Sequence, residues 1–437
     1  MKLKSVSLLP VLALCFVGHT RAQTLDTTSF VVMGEGLAAG MANFGLSSVV
    51  QNKDFAALLA AQMGTGMEQP LIQPPGIGDV VGYPGQEVQV QKYPQGAVRQ
   101  IYLPTDSTKA PIATPPLLIT NVSVPGLTLQ DALTMKPVAP IVQRSNMKQT
   151  VLNMILGYPQ LLLANVPLLT QFEYAKAMFP TVTLVELGFY EALNAAVAGN
   201  PALMPDPTVF GTSYGTVIAG LRALQSQVIV TTIPNPLDTG YFNSVQAAAS
   251  IVQATPSVLS LAYNMGPQDY VTRNGLQLIS NQLMTLQIPI QEIIPQRGGL
   301  GTLPADAVLT ATTAAAITSS VNALNAQIVA AAKANGAVVY DLNAFMHKIK
   351  VAGTTAGTSA VTGDYLGGFY SLDGIYPGAT GHALITNDIL AFLNQTYHQS
   401  FPLLNLTSVA ATDPALQYLK PALGGQLFTP RSLGIGN

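Results

Sequence analysis

Charge is what this sequence has least of. Only 9% of its 437 residues are Asp, Glu, Lys or Arg, against about 25% in a typical globular protein. With hydrophobic residues at 49%, the surface has to be built from Thr, Ser, Asn, Gln and Gly, which suits an exported or envelope protein. Cysteine is nearly absent as well: Cys15 stands alone in an apolar leader. Once that leader is removed, disulfides, thiolate catalysis and cysteine metal sites are all excluded. His347 and His398 have no ligand partners nearby in sequence, so neither a metal nor another cofactor is expected. Beyond the leader there is no run of about 18 uninterrupted apolar residues, the length of a membrane-spanning helix. Val151 to Leu169 comes nearest, but Gly157, Pro159, Asn165 and Pro167 interrupt it, and it reads as a buried helix and loop.

The leader is Met1 to Ala22. Lys2 and Lys4 form its charged start, Ser5 to Val17 its apolar middle, and Thr20-Arg21-Ala22 a small-residue cleavage site. This is the pattern of a signal peptide, and it places the mature chain in a periplasm, an envelope or the medium. Leu12-Ala13-Leu14-Cys15 is a poor lipoprotein signal because a bulky Leu14 precedes the cysteine. Cleavage leaves 16 basic residues against 21 acidic ones, a net charge near −5, which argues against nucleic acid as a partner.

Strand-like and helix-like segments then alternate. Ser29 to Met33 is a β-branched and aromatic run that ends in Gly34-Glu35-Gly36, and Phe55 to Met63 follows as a helix. Pro and Gly dominate residues 69–114, with turns at Pro74-Pro75-Gly76 and Tyr83-Pro84-Gly85 and short strands at Glu87 to Val90 and Arg99 to Leu103. Further strands are expected at Pro116 to Val124, Thr181 to Leu187, Gln227 to Ile233 and Ala337 to Leu342. Helices are expected at Leu129 to Leu133, Leu168 to Met178, Val209 to Leu224, Pro304 to Asn335 and Ala383 to Leu393. Such alternation predicts an α/β fold, a mainly parallel sheet flanked by helices on both faces. Residues 69–114 and 240–301 break the rhythm and read as insertions, the second of them helical. A body over residues 24–398 and a proline-bearing tail over 399–437 complete the division.

Four short blocks sit at the ends of these strands: Gly34-Glu35-Gly36-Leu37, Val124-Pro125-Gly126, Gly188-Phe189-Tyr190-Glu191, and Ser371-Leu372-Asp373-Gly374-Ile375-Tyr376. In order and placement they resemble the blocks of the GDSL/SGNH esterase and lipase superfamily. That resemblance implies a flavodoxin-like three-layer sandwich and a Ser-His-Asp hydrolase. It also implies which positions have changed. Gly36 stands where the nucleophilic Ser belongs, Tyr190 replaces the oxyanion Asn, Glu191 replaces an Asp, and Tyr376 takes the place of the His three residues after Asp373. Gly126 keeps the backbone oxyanion donor. Loss of the nucleophile or base in a Ser-His enzyme costs on the order of 10⁶-fold in kcat, or ~8 kcal/mol of barrier.

The resemblance therefore implies a pseudoenzyme that binds a small molecule, glycan or lipid in its former cleft. Glu35, Phe189, Tyr190, Glu191, Asp373 and Tyr376 would line that cleft with aromatic faces and carboxylates. Paired carboxylates could also run glycoside hydrolysis if suitably separated. Two competing functions fit the same residues: an esterase or lipase with a non-standard nucleophile, and a structural envelope or adhesive protein. Gly211-Thr212-Ser213-Tyr214-Gly215 matches the nucleophile-elbow pattern, but it lies in a predicted helix rather than after a strand. His382 reads as a helix-start histidine that satisfies a backbone carbonyl.

Overall fold

The structure, a computed structural model, describes residues 24–73, 87–92, 98–103, 118–139, 143, 146–157, 159, 165–413 and 416. The expected leader with Cys15, the turns at 74–76 and 83–85, and most of the tail lie outside these residues. Strands Phe30–Gly34, Val182–Glu186, Gln227–Thr231 and Val338–Tyr340 pair in that order into a wholly parallel sheet. Every residue of the first three is buried, as expected of parallel strands covered by helices on both faces.

The edge beside Phe30–Gly34 carries one more piece of chain. Val32 N–H donates to Thr120 O at 2.9 Å, Val122 N–H to Val32 O at 2.9 Å, and Val124 N–H to Gly34 O at 3.1 Å. The strand expected over 116–124 is thus only this short parallel run. At Asn121 the side chain competes with the ladder, donating to Ala38 O at 2.9 Å and accepting from Ser123 N–H at 3.1 Å. With this run included, the strands lie across the sheet in chain order 2-1-3-4-5. The order reverses between Phe30–Gly34 and Val182–Glu186, and a parallel α/β sheet opens its crevice at the carboxyl ends of the strands at such a reversal.

Local sequence explains where the helices start. Thr128 and Asp131 form a reciprocal capping box before Leu129–Thr134, and Thr170 and Glu173 do the same for Gln171–Ala177. Asp54 caps Phe55–Met63, which ends on the left-handed Gly64. The long Ala-rich helix begins at Ala311 rather than at Pro304, because Thr310 caps it there. The residues before the cap include Val308–Leu309, which joins Phe242–Ser244 and Tyr270–Thr272 in a small antiparallel sheet. The helix expected over Ala383 to Leu393 is longer than that apolar run and spans Ala379–Tyr397.

Both insertions have structure. Glu87–Lys92 and Val98–Leu103 form an antiparallel hairpin. Residues 240–301 hold four helices, Val245–Ile251, Pro256–Tyr263, Arg273–Leu286 and Ile290–Arg297. These share a hydrophobic cluster of their own, to which the body contributes Phe44, Tyr365 and Leu372. In the tail, Asp413 Oδ2 accepts from Thr380 N–H at 2.7 Å, which fixes the helix Leu406–Thr412 near the start of Ala379–Tyr397. Among the described residues no single helix is long and apolar enough to cross a membrane.

Gln171 ties the sheet edge together: its buried Nε2 donates to Gly34 O at 2.6 Å and to Val122 O at 2.9 Å. Gln171→Leu should therefore lower the unfolding free energy by about 2 kcal/mol or more, read from urea denaturation.

Candidate functional site

All four blocks converge at the carboxyl edge where the strand order reverses. Gly34-Glu35-Gly36 leaves the first strand, and Gly188-Phe189 follows the strand Val182–Glu186. The Val124 to Gly126 turn is held beside Gly34 by the Val124 N–H bond, and Gly126 adopts φ +78°, a conformation other residues rarely take. Leu129 N–H donates to Glu191 Oε1 at 2.7 Å, which draws that turn onto the helix Phe189–Val197.

Tyr376 occupies the centre. A Cβ built on Gly36 would stand 2.5 Å from Tyr376 Oη and 2.6 Å from its Cε1. The phenol therefore fills the volume that a serine at position 36 would need. Phe189 meets the same ring edge-on, with centroids 6.3 Å apart at 78°. Tyr376 is 1% exposed and Tyr190 8%, and Tyr376 Oη makes no hydrogen bond within the protein. The roomier hollows lie elsewhere. One of about 650 Å³ runs between Tyr270 and the start of the Ala311–Asn335 helix, and one of about 350 Å³ lies beside Tyr263.

Two buried glutamates, Glu35 and Glu186, act on this ring, and a third, Glu191, acts on them. Glu35 Oε2 accepts from Gly36 N–H at 2.6 Å, and Glu186 Oε2 accepts from the N–H groups of Glu35 and Ala38, each at 3.2 Å. Glu35 Oε1 meets no N–H or O–H donor, but the Glu186 carboxyl is within hydrogen-bonding reach. The two are joined when one of them carries a proton. Burial, and then the charge on Glu186, pushes the Glu35 carboxyl well up from its ordinary value. Burial pushes Glu186 up to about 8 and Glu191 up to about 7. Carboxyls in contact lack the gap of about 5 Å or more that glycosidase pairs keep, so the Glu35–Glu186 pair does not have that geometry. Glu186 was not among the residues expected from sequence, and its only signal there is a carboxylate closing an apolar strand. Buried Ser123 also carries a partnerless hydroxyl.

Asp373 is engaged with its own loop. Its Oδ1 accepts from Ile375 N–H at 2.7 Å and Tyr376 N–H at 2.9 Å, and its Oδ2 from Phe44 N–H at 3.2 Å. Burial raises its pKa, while these N–H donors counter the rise. His382 differs from expectation: rather than donating to a carbonyl, its Nδ1 accepts from Phe55 N–H at 3.2 Å. The start of Phe55–Met63 presents an N–H left free by the helix ladder, and burial holds this imidazole neutral, its pKa lowered to about 3. Ser213 lies inside Pro207–Arg222, so the elbow pattern has no strand before it. His347 Nδ1 lies 3.0 Å from Asp238 Oδ2, a base-and-orienter pair, but no serine or threonine hydroxyl among the described residues bonds to His347. No group of three or more His, Cys, Asp or Glu among them is arranged to hold a metal.

Gly36→Ser alone should destabilise the fold by about 1–3 kcal/mol through overpacking. In a Tyr376→Ala background most of that cost should vanish, which a double-mutant cycle measures. The raised carboxyls also fix a sign for pH. Their native forms bind protons more tightly than the unfolded chain does, so the stability they contribute is complete below the ordinary carboxylate range. It is lost as pH rises toward 8, at about 1.4 kcal/mol per pH unit for each proton. The urea midpoint should accordingly fall between about pH 5 and pH 8, and Glu186→Gln should flatten part of that fall. Set against protein-family models, curated proteins and solved structures, the chain finds no match in any of the three.

Proposed function

We propose that this chain is an exported protein on a GDSL/SGNH-like scaffold that has given up Ser-His ester hydrolysis and acts by binding. The observation that carries this reading is the shared volume of Tyr376 and Gly36: the place of a nucleophile is filled by the residue standing in the place of its base. The 2-1-3-4-5 order, the four blocks at one sheet edge and the left-handed Gly126 support the scaffold. The engaged Asp373 supports the loss of chemistry, because its carboxylate is taken up by backbone N–H groups, and His382 is held through Nδ1 by Phe55 N–H. Phe189, Tyr190, Tyr376, Glu35 and Glu191 are all buried, so ligands of the class expected, small molecules, glycans or lipids, meet them only when Tyr376 leaves its seat over Gly36.

A serine-directed fluorophosphonate probe should leave the wild-type chain unlabelled, and p-nitrophenyl esters should turn over at the buffer rate. Labelling of one serine together with turnover would overturn the reading. The triple variant Gly36→Ser, Tyr190→Asn, Tyr376→His should gain measurable esterolysis, because it restores the hydroxyl, the amide and the imidazole while removing the ring that blocks them.

A further inference from the structure

Glu35 follows the strand Phe30–Gly34, Glu186 ends its parallel neighbour, and the two are 0% and 1% exposed. No Lys, Arg or His among the described residues forms an ion pair with either. What faces the pair is acidic or phenolic on every side. Glu191 comes from the helix after Val182–Glu186, Tyr376 from the loop that carries Asp373, and Tyr214 from Pro207–Arg222, while Asp373 and Tyr190 act on Tyr376. Lys148 acts on Glu191, but it is bound to Asp131. Two carboxyls in contact cannot both ionise in such surroundings. The backbone N–H groups of Glu35, Gly36 and Ala38 can support one charge, so the second carboxyl has to keep its proton.

Above this pair sits a ring with no polar anchor. The backbone of Tyr376 is held by Asp373 Oδ1 and by Ser371 N–H, which donates to its carbonyl at 2.8 Å. Its phenol packs against Gly36 and Phe189 with no hydrogen bond to hold its Oη, and burying that partnerless oxygen is itself unfavourable. Ser123 Oγ and Glu186 Oε2 each lie 3.0 Å from where a Cβ on Gly34 would stand. A void of about 10 Å³, lined by Ser123, Asn121 and Gln51, reaches the same polar core from behind.

We propose that the Glu35–Glu186 pair is a proton-operated latch: while it holds its shared proton Tyr376 stays seated over Gly36, and loss of that proton drives the phenol out and hydrates the cleft. The closed form binds the proton more tightly than the open form, so rising pH favours opening. Burial and the neighbouring Glu186 charge hold the Glu35 carboxyl well above its ordinary value, so the pair gives up its last proton only in alkaline medium. Access of any ligand to the cleft is then gated by protons. This rests on reading the region as the former cleft.

Amide hydrogen exchange of the full chain tests the latch, followed in peptides spanning residues 34–41 and 371–378. Rates are corrected for intrinsic base catalysis, and the Ala311–Asn335 helix serves as internal control. Between about pH 6 and pH 9, corrected exchange in the two cleft peptides should rise about 10-fold or more. The control helix and the far-UV circular dichroism should stay unchanged. Glu186→Gln, which keeps the shape but cannot ionise, should abolish the rise, and Glu35→Gln serves as the second variant. An absent rise, an equal rise in both Gln variants, or a rise shared by the control helix would each overturn the latch. Neither ligand nor turnover enters the readout, so failure here leaves the non-hydrolytic reading standing or falling on its own experiment.

Discussion

A single volume, claimed by the phenol of Tyr376 and denied to any side chain at position 36, governs the carboxyl edge of this sheet. Gly36 is tolerated because it has no Cβ, and Tyr376 is tolerated because Gly36 has none. Neither residue can change alone without strain, so the two behave as one packing decision. Phe189 closes the same ring from the side, and Asp373 holds the loop that delivers it. The result is a crevice at the topological reversal filled by protein rather than left open.

The carboxyls beneath the ring follow from the same geometry. Parallel strands in register place Gly34 beside Glu186, so the residue after the first strand and the last residue of its neighbour meet. Burial without a cation then makes protons part of the structure, because a carboxyl that remains neutral avoids the cost of an unpaired buried charge. Backbone N–H groups supply the polar contacts that a basic side chain would otherwise provide. A chain with so few basic residues has few other means of holding acids in its core.

Much of the scaffold was legible in the residues. Apolar β-branched runs at 30–34, 182–186 and 227–231 are what strands buried on both faces require, and Thr170-x-x-Glu173 and Thr128-x-x-Asp131 announce their helices. The shorter edge run at 120–124 was not legible, because the diversion of Asn121 depends on Ala38, which is far away in sequence. His382 shows the same limit. A histidine near a helix start reads as a donor to a carbonyl, yet the free N–H of Phe55, brought close by the packing of two helices, makes it an acceptor.

By itself the sequence determined the class of sheet, the positions of its turns, and the absence of a hydroxyl at 36 and of an imidazole at 376, because these are properties of single residues and of their periodicity. Tertiary structure alone decided that the tyrosine lies in the glycine's space, that Glu186 joins Glu35, and that Asp373 Oδ2 reaches Phe44 N–H. The physical reason is distance along the chain. Glu35 and Glu186 are brought together only by strand register, and Gly36 and Tyr376 only by the closing of the last loop onto the first strand. Such contacts depend on how surfaces are shaped and on what water is excluded from, and no local pattern of residues encodes either.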